Sequence, residues 1–285
     1  MELRKAAFAG SWYPRRASDC ENEIQGFLAD GEKVCNPEDR WIAGIVPHAG
    51  WYYSGRIACR TIACLKDVEP IDLVVIFGMH LQRGSANHMM PEGAWETPLG
   101  VLHVAGDLAS ALMQQFQFQL ESPYRFVQDN TVELQLPFVK HLLDPAEILA
   151  IGVPPTETSL QIGRAVVDWA KEKKKRLKII GSTDLTHYGP NYGFSPQGTG
   201  IQAVNWVREQ NDRKAIDAML AMNPEKMVEE GQRNQNACCT GAAAAAIAAA
   251  CHAGATRAET IAYATSYDII PDESFVGYAG IVYGV

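Results

Sequence analysis

The chain has 285 residues, enough for one large α/β domain or two small ones, and its 47% hydrophobic and 20% charged residues exclude a disordered or fibrous protein. Acidic residues outnumber basic ones 33 to 25, for a formal charge of −8, and no basic stripe is present that could neutralise phosphates. Nucleic acid is therefore excluded as the expected partner.

The first ten residues carry two basic side chains and no long apolar run, unlike a signal peptide. No stretch approaches the roughly 18 apolar residues of a membrane span, and alanine-rich 241–250 is too short. The seven cysteines, at 20, 35, 59, 64, 238, 239 and 251, are odd in number and scattered. They make no secreted disulfide framework, so a reducing, cytoplasmic location is expected.

Short Val/Ile-rich runs predict strands at 42–46, 73–77, 148–153, 178–181, 261–266 and 277–283. Between them, apolar residues recurring at three and four predict helices at 54–65, 108–116, 132–143, 160–173, 202–209, 215–222 and 240–251. The alternation is that of an α/β fold with a central, mostly parallel sheet flanked by helices. The dense basic run at 171–178 closes one helical pattern, where lysines meet the negative dipole end. With no linker and no internal repeat, residues 1–285 read as a single domain, and 189–200 as a surface loop beside a site.

Two strand ends each deliver a histidine. Ile45-Val46-Pro47-His48-Ala49-Gly50 ends one strand, and Gly78-Met79-His80 follows the next. Carboxyl ends of parallel strands form the crevice where ligands bind, so His48 and His80 can share one metal ion. A third strand end carries Asp184 and His187. His187 is read either as a general acid/base whose tautomer Asp184 holds, or as one of a pair around a metal; alternatively Asp184 caps a turn and His187 is solvated.

Cys238 and Cys239 precede an alanine-rich helix, whose positive end favours a thiolate. Adjacent cysteines do not easily ligate one ion, so at most one is expected to point into a site. Glu133, at the start of a helical pattern with Asp129 as its cap, could reach the crevice or merely stabilise the first turn. His88, His103, His141 and His252 read as surface or structural residues. There is no G-x-G-x-x-G, G-x-x-x-x-G-K-[ST], G-x-S-x-G or H-E-x-x-H, which removes the usual signatures of nucleotide-dependent, serine-hydrolase and zincin chemistry.

Together these residues resemble the Memo family, whose bacterial and archaeal members are called AmmeMemoRadiSam system protein B. The resemblance runs nearly end to end. It rests on Ala9-Gly10-Ser11-Trp12-Tyr13-Pro14, Pro47-His48-Ala49-Gly50 with Tyr53-Ser54-Gly55, Thr97-Pro98-Leu99, Glu133 with Leu136-Pro137-Phe138, Ser182-Thr183-Asp184 with His187, and Asp272-Glu273-Ser274 with Gly277-Tyr278-Ala279-Gly280. It implies a fold similar to the class III extradiol dioxygenases, a metal on His48, His80 and Cys239, and His187 with Asp184 as the catalytic pair. Fe(II) is the metal first implied, with copper or zinc as alternatives.

Three places depart from the family pattern. Asn130 stands where a histidine is usual, which changes a contact to the ligands or substrate around Asn130 and Glu133; Gly78-Met79-His80 keeps only the last histidine of S-H-H; and Cys239-Thr240-Gly241 lacks the arginine of C-G-R. The resemblance implies a non-haem, dioxygenase-like oxidoreductase acting on a small molecule, with radical-SAM and AMMECR-type proteins as pathway partners. A non-catalytic module binding metal, peptide or metabolite in the same crevice is the alternative, and a zinc hydrolase a third.

Overall fold

The structure is a computed structural model and describes residues 2–29, 35 and 39–285. Twelve strands occur among these residues: β1 (Leu3–Arg4), β2 (Trp41–Val46), β3 (Leu73–Gly78), β4 (Asn87–Met89), β5 (Ala94–Thr97), β6 (Gly100–His103), β7 (Phe118–Leu120), β8 (Glu147–Gly152), β9 (Leu177–Ser182), β10 (His187–Tyr188), β11 (Arg257–Thr265) and β12 (Phe275–Gly284). The α-helices are α1 (Ala17–Ala29), α2 (Arg56–Cys64), α3 (Gly106–Met113), α4 (Asn130–Glu133), α5 (Leu136–Phe138), α6 (Glu157–Glu172), α7 (Ile201–Trp206), α8 (Asp212–Leu220), α9 (Pro224–Asn234) and α10 (Thr240–Ala253).

Strands β2, β9, β3 and β8 run parallel in that order and form the centre of a nine-stranded sheet. Antiparallel partners extend it: β12 against β2 on one side, and β4 against β8 on the other. The four parallel strands are mostly apolar and almost wholly buried, as expected of strands covered on both faces. A separate three-stranded sheet joins β1, β5 and β6.

Helix α10 explains how the layers close. All of residues 240–250 are buried, and eight of the eleven are alanine, so α6 and the sheet approach its backbone from opposite sides. A helix apolar all round belongs in a core rather than on a surface. No described helix is long and apolar enough to cross a membrane.

The six predicted strands are present, with the last two forming an antiparallel ribbon. The helix expected over 132–143 is broken into α4, α5 and a π turn at Val139–Leu143, with Pro137 removing a donor inside it. One disulfide, Cys35–Cys64, fastens the segment ahead of β2 to the end of α2, where the cysteine spacing had predicted none. It is a single cross-link, and the other five cysteines are free.

Candidate metal centre at the carboxyl edge of the sheet

β9 lies between β2 and β3, so the two histidine-bearing strands are not neighbours, as the chain order had suggested. They flank the strand that leads to Asp184. This order brings the turns after Val46, Gly78 and Ser182 to one edge, where the His48 and His80 rings meet with centroids 4.9 Å apart at 82°.

Each turn is held in place by its own chemistry. Pro47 ends β2, and its carbonyl accepts from Gln135 Nε2 at 2.9 Å while Asn130 Nδ2 donates to the His48 carbonyl at 2.8 Å. His48 N donates to Asp184 Oδ1 at 2.7 Å. After β3, Met79 takes φ 70°, a left-handed conformation that costs a non-glycine residue energy. The Met79 N–H donates to Thr131 Oγ1 at 2.7 Å, and its thioether fills the space that the missing Cβ of Gly152 leaves. This turn aims His80.

Both imidazoles are oriented through Nδ1. His48 Nδ1 lies 3.0 Å from Ser182 Oγ, and His80 Nδ1 lies 2.9 Å from Asp129 Oδ2, leaving Nε2 of each ring for a ligand. Such partners fix ring direction and tautomer in metal sites. Asp129 also caps α4 by accepting from Thr131 N at 2.9 Å, the only role its sequence position suggested. Its orientation of His80, and that of His48 by Ser182, were missed; a carboxylate one residue before a helix carries no further signal.

Two sulfurs adjoin the rings, and the one in contact with an imidazole is Cys238 Sγ, 3.2 Å from His48 Nε2. The resemblance had chosen Cys239. Cys239 belongs to the same group, since ligand atoms from His48, His80, Cys238 and Cys239 all lie within 4.8 Å of one another. Its sulfur stands 3.8 Å from that of Cys238, and its N–H donates to Thr183 Oγ1 at 3.0 Å. Cys238 also approaches Asp184 and His187, which form a second such group with it.

The electrostatics follow this packing. Burial pushes the Cys238 thiol up, but the neighbouring Cys239 thiol and the His48 and His80 imidazoles outweigh it and hold it well below the usual thiol range. Burial pushes the Cys239 thiol well above that range, and Cys238 adds to the shift. Burial lowers His80, yet Asp129 and Cys238 hold it up at about 10. Two imidazoles oriented through Nδ1 and a neighbouring thiolate suit a first-row transition ion such as iron, copper or zinc.

Asp184 Oδ2 stands 3.8 Å from Nε2 of both His48 and His187, so its charge faces two rings at ion-pair distance. Burial lowers His187, and Asp184 and Cys238 more than offset it. His187 stacks on Tyr192, with centroids 4.9 Å apart at 27°. Asn130, His187 and Asp184 line a cleft of about 600 Å³ together with His48 and His80. Glu133 does not. Buried, it accepts from Phe8 N at 2.7 Å and from Tyr13 Oη at 3.0 Å, anchoring the segment that sets Trp12 into the cleft wall.

The turn carrying Asp184 and His187 rests on a buried polar network. Asp212 Oδ1 accepts from the Thr186 N–H at 3.0 Å and from the Thr186 hydroxyl, and Oδ2 accepts from Tyr263 Oη at 2.8 Å. Burial lifts the Asp212 carboxyl from 3.8 to about 6, with these hydrogen bonds opposing it. The folded protein thus keeps a proton that the unfolded chain has lost. The stabilisation is full below about pH 4 and lost as pH rises through about 6. Relative to Asp212→Asn, the wild type is expected to lose up to about 3 kcal/mol over that window. Urea midpoints measured between pH 4 and 7 check this; a difference that stays flat or grows with pH refutes it.

Fold and cluster together define an α/β protein with a candidate transition-metal centre at the carboxyl edge of its sheet. A family model described as Memo-like protein matches residues 4–282. The chain belongs to this family. The MEMO1 family protein of Pyrococcus furiosus is 32% identical over 290 residues, covering 98% of each chain. That of Methanopyrus kandleri is 32% identical over 292 residues, again covering 98% of each. The crystal structure of an uncharacterized protein from Escherichia coli K12 is similar with a TM-score of 0.56 at 11% identity, covering 86% of this chain and all of the other. That last likeness concerns the fold alone.

Proposed function

We propose that this chain is a non-haem, metal-dependent enzyme of the dioxygenase-like kind acting on a small molecule, with His48, His80 and Cys238 as metal ligands and Fe(II) as the first candidate. One observation carries the reading: two imidazoles oriented through Nδ1 present Nε2 beside one half-buried sulfur. Iron bound there would supply Lewis acidity and redox chemistry.

The chain's own groups supply binding and proton handling. Trp12, Tyr52, Tyr53 and Tyr192 line the 600 Å³ cleft, and each is at least 39% exposed. Flat apolar faces of this kind take a planar ring. His187 borders the same cleft and can exchange a proton with a bound hydroxyl, while the Asp184 carboxylate, 3.8 Å from its Nε2, stabilises the imidazolium. Tyr192, stacked on His187, limits the ring's rotation and shields it from water.

The experiment is oxygen uptake by anaerobically purified, Fe(II)-loaded protein across a panel of phenols and catechols. Metal-dependent consumption with at least one of them is expected, and none across the panel would overturn the enzymatic reading. His187→Ala is expected to reduce turnover by about 10²–10⁴-fold while metal content stays at the wild-type level. Unchanged turnover in that variant would remove the proton role.

A further inference from the structure

The candidate centre has a second entrance. A second cleft of about 590 Å³ adjoins it, and His80, His187 and Tyr192 line both cavities. Cys238 is reached from this second cleft, whereas His48 and Asp184 are reached from the first. The stacked His187–Tyr192 pair therefore forms part of a wall between two chambers that share one floor.

The chambers differ in chemistry. Along the first, the charged groups other than histidine are the carboxylates of Asp184 and Asp272, and the walls are aromatic. Along the second there is no carboxylate: the charged groups are Arg83, the histidines and, on the floor, the Cys238 thiolate beside its imidazoles. Gln82, Gln232 and Gln235 add amide donors, and Leu185 and Phe194 add an apolar strip. Among the described residues no carboxylate pairs with Arg83, so its guanidinium keeps its donor fork for a ligand. An anion is repelled by the carboxylates of the first chamber and meets the Arg83 guanidinium in the second.

We propose that the second cleft binds a small carboxylate-bearing molecule with a short aliphatic body, with Arg83 as its charge partner, while the aromatic cleft takes a different ligand. The planar guanidinium pairs with a carboxylate through two parallel hydrogen bonds, and the glutamine amides satisfy its remaining lone pairs. The centre then meets two ligands through two adjoining clefts. This rests on the reading of the cluster as a functional centre, but the binding itself needs only the cleft.

Glutarate is the probe, titrated calorimetrically into the full chain with metal content measured on the same sample. Saturable binding is expected, weakened at least tenfold in Arg83→Gln and unchanged in Tyr53→Ala, whose side chain lines the other cleft. Absence of binding to the wild type, no effect of Arg83→Gln, or an equal loss in Tyr53→Ala overturns the proposal. Metal-free protein that binds glutarate through Arg83 would sink the metal reading and leave this one standing. Metal-replete protein that ignores glutarate would do the reverse.

Discussion

Cys238→Ser is expected to lower metal affinity by about 100-fold or more, while Cys239→Ser stays within about tenfold of the wild type. The two residues are adjacent, so the contrast tests geometry rather than composition. Cys238 Sγ contacts His48 Nε2 at 3.2 Å and accepts from the Asp184 N–H at 3.3 Å. Both contacts favour a thiolate, the form that binds metal. A serine hydroxyl at the same place is a harder, far less acidic donor, and its shorter bond to Cβ draws the atom away from the imidazoles. The Cys239 sulfur is tied to the centre through Cys238, its thiol held well above the usual range by burial. Metal analysis of the two variants purified anaerobically decides it. Loss in Cys239→Ser with retention in Cys238→Ser would instead favour Cys239, the choice made from the family resemblance.

Gly241→Ala is expected to destabilise the fold by about 3 kcal/mol, the upper part of the range for overpacking. A Cβ at this position would lie 2.4 Å from the Val153 carbonyl oxygen and from the Pro154 carbonyl carbon. Both obstacles are backbone, so no side-chain rotation relieves the clash. The first turn of α10 must then retreat from the segment after β8, taking Cys238 and Cys239 with it. Urea unfolding measures the loss, and a change below 1 kcal/mol would show that this contact is soft. Gly26, in α1 with nothing within 4 Å of its missing Cβ, is the control: alanine there is expected to be neutral or to stabilise slightly.

The parallel centre of the sheet was legible because β2 and β3 are unbroken apolar runs and β8 and β9 carry apolar centres, and the two histidines were legible because each closely follows such a run. Helices α1 and α9 left no pattern to read. Only Cys20 and Ile24 are buried in α1, and only Pro224, Met227 and Glu230 in α9. Strands β4, β7 and β10 are two or three residues long, too short for a period of two to emerge. Within the site, residue identity was readable but direction was not. Which of two adjacent cysteines faces the histidines depends on the backbone at Cys239, whose φ −118° and ψ 56° just ahead of α10 follow from packing rather than from local propensity. The strand order is equally non-local, since β9 enters between β2 and β3 only after a long excursion through β8 and α6.

The pairing of β10 with β12 bears on how the protein matures. His187 sits opposite Val276, Leu185 N donates to the Gly277 carbonyl, and Gly277 N donates to that of Thr186. The segment that would trade protons is thus shaped by residues synthesised some ninety positions later. A nascent chain emerging from the ribosome can bring His48 and His80 together while this turn still lacks its partner strand. Such distant pairing is slow to form, so the centre would be able to capture an ion before it could use one.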